Sequence, residues 1–230
     1  MKLVLFDIDG TLLNSAGLGR ASMQRALAEV FGSSGNPSYR YDGKTDKQIV
    51  RDVMRLEGHS DEDIDSRMER LIARYLDGLR IGAESGKFHV RPLDGVVELL
   101  DALEARKDVV LGLLTGNVEP GAKVKLRAAG IDPARFRVNA FGSDHEDRPE
   151  LPGIAQRRAS ETLGLEIVGE RLVVIGDTPA DIECGRSLGA RAIGVASGHY
   201  TVEQLEAHNP YAALPSLKNT QQALETILHA

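Results

Sequence analysis

Two carboxylates stand two residues apart near the start of the chain, in the run Asp7-Ile8-Asp9-Gly10-Thr11. One carboxylate of such a pair can attack phosphorus and bind a metal ion, while the other can move the proton of the leaving group. Gly10 would let the chain turn sharply after the pair. A calcium-binding loop is the structural alternative, but Leu18 occupies the position where an EF-hand loop carries its glutamate. The run therefore favours phosphoryl transfer.

Two later runs carry further groups that could serve this chemistry. In Leu113-Leu114-Thr115-Gly116-Asn117, a hydroxyl and a glycine precede a predicted helix and can present donors to a phosphate, although this pattern alone is weak. In Ile175-Gly176-Asp177-Thr178-Pro179-Ala180-Asp181, two carboxylates stand four residues apart. Carboxylates that converge on one site repel each other unless a divalent cation lies among them, and oxygen ligands with a phosphate substrate favour Mg²⁺. Helix capping by Asp177 or Thr178 is the structural alternative.

A phosphoryl group beside an attacking carboxylate also requires a cation to neutralise it. Most Arg and Lys side chains are simply solvated, so residue type alone does not select one. Four basic residues are candidates: Lys123, Arg148, Arg157 and Arg158.

Short apolar runs with the pattern of buried parallel strands precede these chemical groups, and predicted helices separate the runs. The runs cover residues 3–6, 109–114, 172–175 and 192–195, with a weaker one at 136–141. Helical spacing marks residues 93–103, and another helix opens at Glu119-Pro120 and closes at Gly130. This alternation predicts an α/β fold in which helices cover both faces of a parallel sheet.

Residues 15–89 interrupt the alternation, because they contain three apolar helical faces and no convincing strand. The longest face follows a Ser60-x-x-Asp63 capping pattern. The insertion could supply extra packing helices or a lid over the carboxyl ends of the strands, where open α/β sheets place their sites. The lid is favoured because the insertion begins beside the Asp7 run. The predicted domains are a core of residues 1–14 and 90–230 and an all-helical cap of residues 15–89.

The composition argues against several classes of protein. With 28 basic and 34 acidic residues the net charge is −6, and without a basic stripe the chain is a poor nucleic-acid binder. No apolar run approaches the ~18 residues that cross a bilayer. The single cysteine, Cys184, cannot form an internal disulfide and fits a reducing compartment. A soluble cytoplasmic protein with no nucleic-acid or membrane partner is therefore expected.

The runs at residues 7–11 and 176–181, with the Thr115 run between them, resemble the haloacid dehalogenase superfamily of phosphotransferases over nearly the whole chain. The resemblance implies a Rossmannoid core with a helical cap inserted after the first strand. It also implies that Asp7 is the nucleophile and that Asp9 is the general acid and later the base. The implied ligands of Mg²⁺ are the Asp7 carboxylate, the Asp9 backbone carbonyl, Asp177 and, in support or through water, Asp181.

The same resemblance implies that Thr115 and the amide of Gly116 bind the phosphoryl oxygens, with Asn117 beside them as a substrate-binding residue. The chain departs from the family at the next motif, where members usually carry a Lys-Pro pair about fourteen residues before a Leu-Gly. Leu163-Gly164 is present here, and Arg148-Pro149 looks like the equivalent pair with arginine substituted. Arginine can stabilise a phosphate as well as lysine can, so Arg148 is predicted as a catalytic residue.

The predicted cap contains the run Asp42-Gly43-Lys44-Thr45-Asp46. A P-loop interpretation fails, because Ser38 stands where that motif requires its first glycine. Similar Gly-Lys/Arg-Thr-Asp runs face the active site in the caps of phosphoglycolate-phosphatase-like members. Lys44 is therefore either a substrate-binding residue or part of a helix start that Thr45 caps.

These observations predict a Mg²⁺-dependent phosphatase that acts on a small phosphorylated metabolite through an aspartyl-phosphate, with phosphoglycolate as the nearest guess by resemblance. A sugar phosphomutase resembling β-phosphoglucomutase shares the core motifs and remains an alternative. A non-catalytic binding module is the other alternative, although the intact set Asp7, Asp9, Thr115 and Asp177 argues against it. Asp9 also argues against a dehalogenase, which needs only the nucleophile. The sequence leaves the oligomeric state open.

Overall fold

The computed structural model describes residues 1–230. In chain order its strands are β1 (Lys2–Phe6), β2 (Leu13–Asn14), β3 (Arg91–Pro92), β4 (Val109–Thr115), β5 (Val138–Phe141), β6 (Leu172–Gly176), β7 (Arg191–Val195) and β8 (Ala212–Leu214). Six of them form one parallel sheet in the order β5-β4-β1-β6-β7-β8. The predicted α/β class with a parallel sheet is thereby confirmed.

The register of the central strands determines which residues meet at the edge of the sheet. β1 lies between β4 and β6, and Phe6 pairs with both Leu113 and Ile175. The three strands therefore end at the same level, since parallel neighbours share one carboxyl edge. Asp7, Thr115 and Asp177 come at or directly after these strand ends.

Helices cover both faces of this sheet. In chain order, the helices of the whole chain are α1 (Leu18–Phe31), α2 (Asp46–Leu56), α3 (Asp61–Glu84), α4 (Val96–Glu104), α5 (Glu119–Ala128), α6 (Leu151–Leu163), α7 (Pro179–Cys184), α8 (Val202–Glu206) and α9 (Thr220–His229). Val4 and Phe6 of β1 pack into a hydrophobic cluster with α4, α5 and α9, whereas Leu3 and Leu5 pack with α6 on the other face. This alternation along one strand explains why the run is apolar throughout.

Helices α1, α2 and α3 form the insertion after the first strand and share their own hydrophobic cluster, which also contains Val118 at the start of α5. The short antiparallel pair β2 and β3 joins the insertion to the sheet on both sides. Ser60 caps α3, as its hydroxyl accepts the Asp63 amide at 3.3 Å. The boundaries of the cap at residues 15–89 stay a prediction.

Some elements differ from the sequence-based expectation at their ends. β5 begins at Val138 rather than residue 136, because the 3₁₀ turn Pro133–Arg135 runs directly into Phe136. α5 ends at Ala128, and Gly130 follows with a φ of +74°, which suits glycine. β8 was not predicted, since a strand of three residues has too short an apolar pattern. No helix is both long enough and apolar enough to cross a membrane.

Candidate active site

Three carboxylates lie together at the carboxyl edge of the sheet. The amide of Asp7 donates to the Ile175 carbonyl at 2.9 Å, which fixes the chain where β1 and β6 end. Asp177 follows β6 directly, and Asp181 lies in the first turn of α7. One oxygen from each of the three carboxylates lies within 4.8 Å of the other two, and all three residues are buried. Two runs that are 170 residues apart in sequence thus meet at one site.

Two glycines leave space for the Asp177 carboxylate. A Cβ at Gly10, whose φ is +83°, or at Gly198 would overlap that carboxylate. The Thr11 hydroxyl donates to Asp177 Oδ1 at 3.2 Å, and the Ser197 hydroxyl donates to the Gly10 carbonyl at 2.7 Å. The loops after β1 and β7 therefore hold Asp177 in a single position.

Asp181 is fixed by the N-terminus of α7. The amide and hydroxyl of Thr178 donate to Asp181 Oδ2 at 3.0 and 2.6 Å, and Thr178 Oγ1 in turn accepts the Asp181 amide at 3.4 Å. This reciprocal arrangement is a capping box, with Thr178 rather than Asp177 as the N-cap. The other oxygen of Asp181 accepts a hydrogen bond from Arg148. Both carboxylate oxygens of Asp181 therefore accept hydrogen bonds within the protein, and Asp181 holds Thr178 and Arg148 in position.

Of the four candidate cations, Arg148 is the one that reaches the carboxylates. It lies at the start of a 3₁₀ turn, is 4% exposed, and its Nη2 lies 3.4 Å from Asp7 Oδ1. The other three are placed elsewhere. Lys123 pairs with Glu119 on the surface, Arg158 pairs with Asp144, and Arg157 is exposed.

The electrostatics of this cluster favour a bound cation. Burial raises the pKa of Asp7 to about 6 against the opposing effect of Arg148, and Asp181 adds to the rise. Burial, Asp181 and Asp7 likewise raise the pKa of Asp177 well above its usual range. One guanidinium faces three carboxylates, so the buried site has an excess of negative charge. Hard oxygen donors of this kind fit Mg²⁺.

Asp9 has separate partners from this cluster. Its Oδ2 accepts hydrogen bonds from Lys125 Nζ at 2.6 Å and from Asn117 Nδ2 at 2.9 Å. Asn117 Oδ1 also accepts from Lys125 at 2.6 Å, and Asn117 Nδ2 donates to Thr115 Oγ1 at 2.8 Å. Burial alone would raise the pKa of Asp9, but the charge and hydrogen bond of Lys125 outweigh it and lower that pKa.

The sequence analysis missed Lys125, although the helix pattern contains a signal for it. Ala122, Lys125, Leu126 and Ala129 follow the i, i+3, i+4, i+7 spacing of one helical face, and all four are buried. A lysine at the centre of an apolar face must find a buried anion. Here Asp9 and Asp46 together raise the pKa of Lys125 against the lowering effect of burial, so the ammonium stays charged.

The run 42–46 of the insertion is hydrogen-bonded to the loop that follows Thr115. The amide of Asp46 donates to the Gly116 carbonyl at 2.8 Å, and the Asp46 carboxylate accepts the Val118 amide at 2.8 Å. Gly116 has no space for a Cβ, which would overlap the Lys44 carbonyl. Asp46, which the sequence analysis did not select, therefore links the insertion to the strand edge.

Lys44 is held on the insertion itself. Its Nζ donates to Asp52 Oδ2 at 2.9 Å and lies 5.3 Å from the centre of the Tyr39 ring. Thr45 is the N-cap of α2, where its hydroxyl accepts the Gln48 amide at 3.1 Å. Thr45 therefore caps α2, and Lys44 lines the cavity described next, so its substrate-binding role stays a prediction.

A cavity of about 630 Å³ lies between the strand edge and the insertion, and only five of its 28 lining residues are hydrophobic. Among the predicted site residues, Asp181 alone does not line it, because that side chain is buried behind Arg148 and Thr178. The lining includes Asp7, Asp9, Lys44, Thr115, Gly116, Asn117, Arg148 and Asp177. The arrangement presents a nucleophile, a hydrogen-bonded acid or base, hydroxyl and amide donors and a cation around one space.

Comparison with known proteins matches this chain to one family. The model of the family described as haloacid dehalogenase-like hydrolase matches residues 4–195. The chain is 31% identical to the N-acetylmuramic acid 6-phosphate phosphatase of Pseudomonas aeruginosa, over 90% of this chain and 87% of that protein. It is 25% identical to the phosphoglycolate phosphatase of Agrobacterium fabrum, over 89% of this chain and 84% of that protein.

A solved structure shares the fold across the whole chain. A hydrolase from Pseudomonas syringae superimposes with a TM-score of 0.74 and 22% identity, and the match covers 98% of each chain. At this identity the likeness shows the fold alone. It extends through the helical insertion as well as the sheet, since almost no part of either chain is left out.

Proposed function

The chain belongs to the haloacid dehalogenase-like hydrolases and is a phosphoric monoester hydrolase, and from this premise we propose that it is a Mg²⁺-dependent phosphatase of small metabolites that works through an aspartyl-phosphate on Asp7. The observation that carries the proposal is the placement of Asp7. Its carboxylate lies 3.4 Å from the Arg148 guanidinium and beside the carboxylates of Asp177 and Asp181, while Asp9 faces the same cavity with its own partners. Each group has a distinct task in phosphoryl transfer.

In the first step, an oxygen of Asp7 attacks phosphorus and the bond between phosphorus and the leaving-group oxygen breaks. That oxygen takes a proton from Asp9. A carboxylic acid is required for this step, and the negative charge of an arriving phosphate raises the pKa of a nearby carboxyl group. In the second step, Asp9 takes a proton from water, the water oxygen bonds to phosphorus, and the bond to Asp7 breaks. Asp7 and the protonation state of Asp9 are then restored.

The neighbouring residues hold the phosphoryl oxygens and balance charge. Thr115 and the Gly116 amide would donate to these oxygens, and Arg148, which lines the cavity beside Asp7, would balance their negative charge. The Asp7 carboxylate, the Asp9 carbonyl and Asp177 would hold Mg²⁺, with Asp181 positioning Arg148. When bound, Mg²⁺ would supply positive charge to the transferring phosphoryl group.

We further propose that residues 15–89 act as a cap over the cavity. The hydrogen bonds of Asp46 to Gly116 and Val118 support this role, because they place the insertion against the phosphate-binding loop. Residues of the insertion, Lys44 among them, then meet the part of the substrate beyond the phosphate. The cytoplasmic location stays a prediction from the sequence.

The two relatives named above act on different compounds, so similarity to them does not select one substrate for this chain. Phosphoglycolate and N-acetylmuramic acid 6-phosphate are the first compounds to test, within a wider screen of phosphorylated metabolites. A phosphomutase would instead convert a sugar 1-phosphate to its 6-phosphate and require a bisphosphate. A binding module would release no phosphate even from nitrophenyl phosphate with Mg²⁺.

Chelation is expected to lower the rate of nitrophenyl phosphate hydrolysis by about 100-fold or more, because a bound metal ion stabilises the transition state by several kcal/mol. Added Mg²⁺ should restore the rate, whereas Ca²⁺ should restore little, since its looser coordination shell suits an octahedral site poorly. The measurement is phosphate release after EDTA treatment and dialysis. Full activity in metal-free protein would contradict the assignment of Asp177 as a ligand.

Replacing Lys125 with methionine is expected to lower kcat at neutral pH by about 10- to 100-fold, the value of a hydrogen bond to a charged group. Lys125 lowers the pKa of Asp9, so its loss should raise that pKa and move the acidic limb of the pH profile to higher pH. Lys123→Met is the matched control, because Lys123 lies on the exposed side of the same helix and pairs with Glu119. A profile that is unchanged in shape would refute this role of Lys125.

A further inference from the structure

The basic side chains around the cavity differ in whether a carboxylate lies beside them. Six basic residues line it: Arg20, Arg40, Lys44, Lys125, Arg148 and His199. Five of them lie within 3.4 Å of a carboxylate oxygen, in the pairs Arg40–Asp42, Lys44–Asp52, Lys125–Asp9, Arg148–Asp7 and His199–Asp42. Arg20 is the exception, because it takes part in none of the ion pairs of the protein.

Arg20 is nevertheless held in a defined position. Its Nη1 donates to the Pro37 carbonyl at 3.3 Å and its Nη2 donates to the Tyr39 carbonyl at 2.8 Å. Its guanidinium carbon lies 4.1 Å from the centre of the Tyr41 ring, which also lines the cavity. Carbonyls and an aromatic face orient the guanidinium without cancelling its charge. Two of its five N–H donors are used, so three stay available.

The position of Arg20 places this charge beyond the reacting centre. It lies in the first turn of α1, next to Gly19, where an added Cβ would lie 3.1 Å from Lys125 Nζ. This turn therefore packs over Lys125, which contacts Asp9. Asp9 is the group that faces the leaving-group oxygen in the proposed mechanism. A cation on this side of Asp9 meets the leaving group rather than the phosphoryl group.

We propose that Arg20 binds a second anionic group on the leaving-group part of the substrate, so that the substrates are phosphate monoesters with a further carboxylate or phosphate. This inference rests on the proposed phosphatase function. Because the guanidinium is already oriented, binding such a group costs little conformational entropy. The three available N–H groups match the oxygens of a carboxylate or phosphate, which both accept paired hydrogen bonds from arginine.

The test uses two pairs of substrates that differ only in the second anion. Phosphoglycolate is compared with ethyl phosphate, and propane-1,3-diol bisphosphate with propyl phosphate. The wild-type protein should prefer the member of one pair that carries the second anion. Arg20→Ala should lower kcat/KM for that member by about 10- to 100-fold, mainly through KM, and leave the partner that lacks the second anion within about twofold. The pair that responds identifies the second group as carboxylate or phosphate.

Arg40→Ala is the matched control, because Arg40 lines the same cavity but is paired with Asp42. It should change neither pair appreciably. Hydrolysis of ethyl phosphate by Arg20→Ala shows that the variant is folded, and Arg20→Lys, which keeps the charge, should recover part of the preference. An equal loss on both members of a pair, a preference that Arg20→Ala retains, or no preference in wild type would overturn the inference. Failure of wild type to hydrolyse nitrophenyl phosphate would instead overturn the proposed function.

Discussion

Asp7→Asn is expected to lower kcat by about 10⁴-fold or more on every substrate, the scale of loss seen when a covalent nucleophile is removed. A neutral amide does not attack phosphorus, and it serves a cation less well than a carboxylate does. The structure gives the substitution little other effect, since the amide keeps the size of the side chain and Arg148 retains Asp181 as a partner. The measurement is steady-state phosphate release with Mg²⁺.

The covalent intermediate gives an independent measurement of the same role. Wild-type protein that is quenched in acid during turnover should carry a phosphate that hydroxylamine removes, and Asp7→Asn should carry none. Asp42→Asn is a suitable control, because Asp42 lines the cavity but pairs with Arg40 and His199. Turnover by Asp7→Asn within about tenfold of wild type would exclude the covalent mechanism, because removing a true nucleophile costs far more.

The part of the site built from strand ends could be predicted from the sequence. Short apolar runs predict central strands, and parallel strands share a carboxyl edge, so the groups that follow such runs must meet there. Asp7, Thr115 and Asp177 were placed correctly by this argument alone. The apolar runs match most of the observed strands closely in length, because strands buried on both faces have no polar positions inside them. The inserted helices were predicted by the change of apolar period.

The cations could not be predicted in the same way. Arg148, Arg157 and Arg158 lie within eleven residues, and only the 3₁₀ turn before α6 determines which of them is buried beside Asp7. Lys123 and Lys125 lie on the same helix, and only the apolar face that contains Lys125 indicates which of the two is buried. The role of Asp46 depends on how the insertion packs against the loop after β4. This contact joins segments that are distant in sequence, and no local pattern specifies it.

The geometry around Asp9 makes its two proposed tasks unequal. Lys125 and Asn117 both donate to the same carboxylate oxygen and lower its pKa, which favours the ionised form that accepts a proton from water. Donation to the leaving group requires the neutral form, which the arriving phosphate must favour through its own charge. The Asp9 side chain is 37% exposed and lines the cavity, so it can reach a substrate while Lys125 remains buried at 4%. A substrate whose leaving group needs no proton does not require the neutral form of Asp9.

Asp9→Asn is therefore expected to lower kcat/KM for alkyl phosphates by about 10²- to 10⁴-fold, the usual contribution of a general acid. The same substitution should change kcat/KM for nitrophenyl phosphate far less, because nitrophenolate is stable without a proton and kcat/KM reports the steps up to its departure. The second step still lacks its base, so rapid mixing with nitrophenyl phosphate should give a burst of nitrophenolate followed by slow turnover, while the phosphate adduct on Asp7 accumulates. Equal losses of kcat/KM on both substrates, with no burst, would mean that Asp9 only supports the position of Lys125 and Asn117.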